Sequence, residues 1–221
     1  MKGTPVPTLD YHDKIAVLDL GGAENRFSPE FLDRVGAHLD TALADGAQGL
    51  VTTASGKFYS NGLDLDWLGA HGERAEWYVA QVQALFARML TLPVPTVAAL
   101  PGHAFGAGAM LAIAHDYRVM RADRGYFCFP EVDIRIPFTP GMAALIQAKL
   151  TPKTAFAAMT TGRRFGGADA AGLDIVDATA AEGAVTEAAL ALLAPLGGKD
   201  PGTLGAIKNT MYGPVVTALT T

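Results

Sequence analysis

One cysteine, Cys128, stands among 221 residues, so no disulfide can form within the chain, and a reducing cytoplasm is the expected location. Its setting, Phe127-Cys128-Phe129, is apolar; such surroundings raise a thiol's pKa and favour packing over nucleophilic chemistry. Charged residues make up only 18% and the net charge is -5, without the basic surplus of a nucleic-acid binder. No uncharged run is long enough to cross a bilayer: the longest, Ala98 to Ala114, carries His103 and several glycines. Met1 to Pro7 lacks the basic start and apolar core of a secretory signal. His103 and His115 do not have metal-ligand spacing and no carboxylate or thiol clusters with them, so no metal site is expected. Also missing are a Gly-Lys-Ser/Thr phosphate loop, the dinucleotide glycine pattern and a Gly-x-Ser-x-Gly nucleophile elbow.

Half of the residues are hydrophobic, enough to bury a core and to exclude global disorder. The pattern alternates. Ile15 to Leu20, Gly49 to Thr53, Thr96 to Leu100 and Tyr117 to Met120 read as buried strands. Ser28-Pro29 opens a helix with Phe31, Val35 and Leu39 on one face. Glu73 to Leu92 reads as a long helix with Trp77, Leu85, Phe86 and Met89 inward, and Gly106 to Ala114 as a helix buried on every side. Beyond Pro140 the chain reads as helical, in segments 141–150, 152–160, 183–193 and 201 to about 211. Alternating strands and helices imply an α/β domain with largely parallel pairing. A core over residues 1–195 and a short helical segment over 196–221 are expected.

Two segments present backbone N–H groups. Gly56 to Asp64 turns through Asn61-Gly62 into a short helix, with Asp64 as its cap. Gly102 to Ala109 leads small residues from a strand into the buried helix, whose first-turn amides need acceptors. Taken singly, each also suits a purely structural turn.

Together, Gly56-Lys57-Phe58-Tyr59-Ser60-Asn61-Gly62-Leu63-Asp64-Leu65, Gly102-His103-Ala104-Phe105-Gly106-Ala107-Gly108 and Phe129-Pro130-Glu131-Val132 resemble the crotonase (enoyl-CoA hydratase/isomerase) superfamily. The similarity runs from about Ile15 to Asp177, ending on Ala170-Ala171-Gly172-Leu173-Asp174-Ile175-Val176-Asp177. The resemblance implies a spiral of ββα units with a helical C-terminal part, assembled as a homotrimer or dimer of trimers. It implies an acyl-CoA thioester as substrate, with no cofactor apart from the CoA it carries. The thioester oxygen would lie between two backbone amides, assigned by position to Asn61 and Ala107. Arg26 and Lys57 are expected at CoA phosphates and Lys208 at the adenosine phosphate; Tyr59, Gly62 and Gly106 are expected beside the substrate. Hydratases of the family use two Glu residues, and the matching positions here are Met110 and Glu131. Met110 cannot move a proton. One carboxylate suffices to shift a double bond, so Δ3,Δ2-enoyl-CoA isomerisation is the expected reaction, with Asp133 as fallback base. Other crotonase chemistry (hydration, dehydration, thioester hydrolysis) and a non-catalytic acyl-CoA binder are the rival readings. Trp67, Leu68 and Trp77 are expected around the acyl tail.

Overall fold

In the computed structural model, which describes residues 7–221, strands and helices alternate as the sequence pattern requires. An antiparallel hairpin, β1 (Thr8–His12) and β2 (Ile15–Asp19), opens the chain. Helix α1 (Pro29–Ala44) follows, capped by the Ser28 side chain, which accepts from the Phe31 N–H. Three ββα turns come next. The first is β3 (Gly49–Thr53), β4 (Phe58–Ser60), the short α2 (Leu65–Ala70) and α3 (Ala75–Leu90). The second is β5 (Thr96–Leu100), β6 (His103–Phe105) and α4 (Ala107–Ala114). The third is β7 (Tyr117–Arg121), β8 (Phe127–Cys128) and α5 (Glu131–Ile134). Helices α6 (Pro140–Lys149), α7 (Pro152–Thr161) and α8 (Gly167–Gly172) precede β9 (Ala178–Ala180), α9 (Val185–Leu193) and α10 (Pro201–Thr220).

In each turn the first strand joins one sheet and the second joins another. The large sheet has the order β1-β2-β3-β5-β7-β9 and the small one β4-β6-β8. Apart from the β1–β2 hairpin, every named pair is parallel. This is the crotonase spiral: the chain climbs one strand per turn in both sheets, so equivalent loops stack. The stacking is close enough to exclude a Cβ. At Gly102 a Cβ would lie 2.2 Å from the Lys57 carbonyl oxygen, and at Gly56 it would lie 2.2 Å from that of Gly22.

Every residue of α4 is buried, so the helix packs on all sides, against α3, α6 and the small sheet. Val51, Val97, Ala99 and Val119 form a second apolar layer on the large sheet, covered by Val185, Ala189 and Leu193 of α9.

Several expectations need correction. The short strands β4, β6, β8 and β9 were not separable from turns by pattern, because two or three residues cannot show a period. Trp77 is 40% exposed rather than inward, with the Arg74 guanidinium 4.0 Å from its ring centroid; Tyr78 takes the buried place. The last helix does not stop near Met211. It runs to Thr220 through Pro214, because Val215 and Leu219 are buried beyond the proline and α10 packs along both α3 and α6. Proline in a helix interior removes one backbone bond, and this packing offsets it.

The Gly102 contact is backbone against backbone and neither side can yield. Gly102→Ala is therefore expected to lower the melting temperature markedly. Gly69→Ala in α2, where nothing lies within 4 Å, should leave it unchanged or raise it slightly. Equal melting temperatures for the two variants would refute the stacking argument.

Candidate active site

The turn after β4 is fixed from three sides. Asn25, at φ 50, brings its side-chain amide within 3.0–3.2 Å of the carbonyls of Gly21, Phe58 and Tyr59. Ser60 Oγ donates to the Asn25 carbonyl at 2.7 Å and accepts from the Gly62 N–H at 3.1 Å. Buried Tyr78 Oη accepts from the Asp64 N–H and donates to the Phe27 carbonyl, both at 2.8 Å. The Asp64 carboxylate caps α2 through the Trp67 N–H at 3.1 Å. The turn is pressed against the start of α4: a Cβ on Gly62 would be 2.9 Å from the Ala107 nitrogen.

This arrangement decides which amides are unpaired. The Asn61 N–H donates to the Glu24 carbonyl at 2.8 Å, which corrects its assignment as an oxyanion donor. Two residues on, after Gly62 at φ +82 has reversed the backbone, Leu63 presents its amide differently. Among the described residues, the N–H groups of Leu63 and Ala107 have no acceptor, and both residues line one cavity of about 380 Å³. Gly106, at φ +52, is the cap residue just before α4. Its positive φ suits glycine, and its missing side chain leaves room for Glu131: a Cβ there would be 3.4 Å from Glu131 Oε1.

Glu131 begins α5, directly after β8 and Pro130. It is 7% exposed and its Oε2 is buried without any hydrogen-bond partner. Leu63, Val79, Met110, Ile134 and Met142 line the same cavity. Burial pushes the Glu131 carboxyl up to about 7, against a smaller downward pull from its own backbone N–H. Met110, 1% exposed, stands on α4 one turn beyond Ala107. Among the described residues no group of His, Cys, Asp and Glu side chains could hold a metal ion.

Other expected site residues are placed differently. Arg26 lines the cavity, but its guanidinium is held at 2.6 Å by both Glu24 and Asp66. Lys57 does not line it; its ammonium lies 5.2 Å from the Phe58 ring centroid. Tyr59 is fully buried and hydrogen-bonded to Thr52 Oγ1 at 2.7 Å, a core residue and not a substrate contact. Lys208 is buried against Asp116 and the Val94 carbonyl and lines a separate cavity. Asp133 cannot replace Glu131: in a helix, positions two apart face different ways, and Asp133 is exposed beside Gly162. Trp67, Leu68 and Trp77 do not line the cavity; Leu65, Val79, Ile136 and Met142 do. Cys128 is buried, with its thiol donating to the Gly162 carbonyl at 3.3 Å and pushed up to about 11 by burial. His115 is buried too. Its Nδ1 meets the Leu111 carbonyl at 2.8 Å, so it must donate there, and Nε2 accepts from Thr52.

Two unpaired amides and one desolvated carboxylate thus face a mostly apolar cavity, carried on successive turns of a ββα spiral of the crotonase type. The sequence pattern of the enoyl-CoA hydratase/isomerase family matches residues 12–221, and the chain belongs to that family. It is 38% identical over 183 residues to the peroxisomal enoyl-CoA delta isomerase 2 of Arabidopsis thaliana, covering 78% of this chain and 76% of the relative. A probable enoyl-CoA hydratase from Mycobacterium tuberculosis H37Rv superposes with a TM-score of 0.90 at 26% identity, over 97% of this chain and 92% of that one. Human mitochondrial delta3-delta2-enoyl-CoA isomerase shares the fold, with a TM-score of 0.89 at 23% identity over 96% and 85% of the two chains.

The raised Glu131 pKa carries a stability consequence. Between its ordinary 4.5 and about 7, the folded state holds a proton that the unfolded chain has released, so stability falls as pH rises through that window. Above it, ionised Glu131 costs on the order of 3 kcal/mol. His115, pushed down by burial to about 3 from 6.5, acts oppositely, costing stability as pH falls below 6.5; it is common to wild type and variant and cancels in their difference. Glu131→Gln is expected to be more stable than wild type at pH 8, with the gap closing by pH 5. Denaturant melts at both pH values would show it; a pH-independent gap would contradict the assigned burial.

Proposed function

We propose that the protein moves a double bond from C3 to C2 of an enoyl-CoA thioester, with Glu131 as the only proton carrier. The observation that carries this reading is the unpartnered Glu131 oxygen, buried beside unpaired amides with Met110 where a second acid would stand. In this reading the thioester oxygen accepts hydrogen bonds from the N–H groups of Leu63 and Ala107. Glu131 takes a proton from C2. The electron pair of the broken C–H bond delocalises through the carbonyl and the 3,4 double bond, giving a dienolate whose oxygen charge the two amides stabilise. Each such donor is worth about 3–4 kcal/mol when aimed at developing charge. The carboxylic acid returns the proton to C4, the double bond settles between C2 and C3, and no water is consumed.

An apolar wall favours this cycle twice. It raises the carboxyl pKa towards neutrality, so that one group can take and return a proton, and it keeps water from the dienolate. The Arabidopsis relative, named an enoyl-CoA delta isomerase, supports the same reading. The mycobacterial neighbour is named a probable hydratase in one structure and an enoyl-CoA isomerase in another, and hydration is the second reading; Met110 stands against it, since adding water requires activating it and protonating carbon at once. CoA enters as part of the substrate, and a homotrimeric assembly remains part of the proposal.

Purified protein is expected to convert 3-enoyl-CoA to 2-enoyl-CoA, followed by absorbance of the conjugated thioester. Glu131→Gln should cut kcat by about 10²–10⁴-fold while substrate still binds, and the wild-type rate should rise with pH through about 7, as Glu131 ionises. Unchanged turnover in Glu131→Gln would remove the single-base mechanism, and rapid formation of the 3-hydroxyacyl product from 2-enoyl-CoA would replace it with hydration.

A further inference from the structure

A second cavity, of about 510 Å³, lies between the end of α6 and the side of α10 and shares no lining residue with the first. Its charges do not balance. Behind the wall, near Lys149, Arg118 is matched by Asp177 at 3.2 Å and by the carbonyls of Ile175 and His115. Lys208 is matched by Asp116 at 2.6 Å and by the Val94 carbonyl. Lys149, the last residue of α6, has no carboxylate paired with it among the described residues. Its ammonium has only the Tyr212 hydroxyl at 3.4 Å and the Tyr212 ring centroid at 5.3 Å. Three cations and two carboxylates thus meet in one largely buried corner. Lys199 and Asp200 add one charge of each sign to the lining and leave the imbalance unchanged; much of the remaining wall is apolar, and along α10 Ile207 and Met211 line the cavity while staying 50% and 62% exposed.

We propose that this cavity binds a small amphiphile with a carboxylate head and an apolar tail, the head on the Lys149 ammonium and the tail along Ile207 and Met211. One uncompensated cation calls for one negative charge. A phosphate dianion would leave an excess facing Asp116, and a small inorganic anion would leave the apolar wall uncovered. Burial first, and then the charge of Arg118, hold the Lys149 amine down to about 8, as expected for a lysine awaiting a counter-ion. The C-terminal end of α6 offers it only a partial negative charge.

The two cavities carry different methionines, Met211 in this one and Met110 and Met142 in the first, so methyl-labelled methionine reports where a ligand sits. Titrating the intact protein with decanoate is expected to shift the Met211 methyl resonance and to raise the Lys149 amine pKa towards the ordinary lysine value. 1-Decanol and acetate, which lack the head and the tail respectively, should bind at least about tenfold more weakly. Lys149→Met should weaken decanoate by a similar factor, and Lys149→Arg should largely preserve it. Shifts confined to Met110 and Met142, equal affinity for decanol, or undiminished decanoate affinity in Lys149→Met would each overturn the proposal. The wild-type comparison of decanoate with decanol decides it even if a variant fails to fold.

Discussion

Glu131 buries one carboxylate oxygen where, among the described residues, no donor reaches it. A buried ionised carboxylate without a partner is strongly disfavoured, and the structure tolerates it only because the group titrates near neutrality instead of staying charged. That single constraint organises the cavity. Any nearby cation would restore an ordinary acidic pKa. Arg26, the basic side chain that lines the same cavity, is held by Glu24 and Asp66 instead. A second carboxylate at position 110 would couple to the first and split the two titrations; methionine leaves Glu131 alone with an apolar wall. The neighbouring side chains thus govern the proton affinity of Glu131.

The spiral makes this possible by setting loops from different parts of the chain on one another. Gly62 follows β4, Gly106 follows β6 and Glu131 follows β8, three neighbouring strands of one small sheet. The parallel register of that sheet, with Gly56 and Gly102 admitting backbone contact at its corners, holds the two amides and the carboxylate in fixed relation. Asn25, Ser60 and Tyr78 lock the first loop through bonds that span many residues, such as Tyr78 to the Phe27 carbonyl. Each belongs to the scaffold of the site while making no demand on a substrate.

Most of this fold was legible in the sequence wherever an element was long enough to show its period. The central strands, the Ser28 cap and the all-apolar α4 were read from residues alone. The short strands of the small sheet were not, since their existence depends on pairing with neighbours rather than on local pattern. That Glu131, Met110 and Ala107 share one cavity was legible from motif position. The first amide was not, and the error has a physical source: a motif fixes which residues form a turn but not which N–H the turn directs inward. Asn61 looked suitable as a polar residue before Gly62, yet its amide closes onto Glu24. Lys208 and Tyr59 misled for a related reason, because a charged or phenolic side chain near a motif looks available until its buried partner is known. Asn25 carried a signal that was available in principle, as asparagine is the residue that tolerates a left-handed backbone while its side chain bonds locally.

Glu131 and Lys149 are the same physical situation with opposite sign. Each is a charge-bearing side chain lining a cavity, with no oppositely charged group bonded to it among the described residues, and each has its pKa moved towards neutrality by burial, upward to about 7 for the acid and downward to about 8 for the base. The ion pairs beside Lys149, Arg118 with Asp177 and Lys208 with Asp116, show that the fold supplies partners where charge serves only stability. Leaving a buried charge unmatched costs folding free energy, and a chain stabilised by only about 5–15 kcal/mol overall retains few such costs without return. For Glu131 the return is a proton carrier poised near neutral pH. The same reasoning makes Lys149, rather than the better-paired Lys208, the cation that the proposed carboxylate ligand would match.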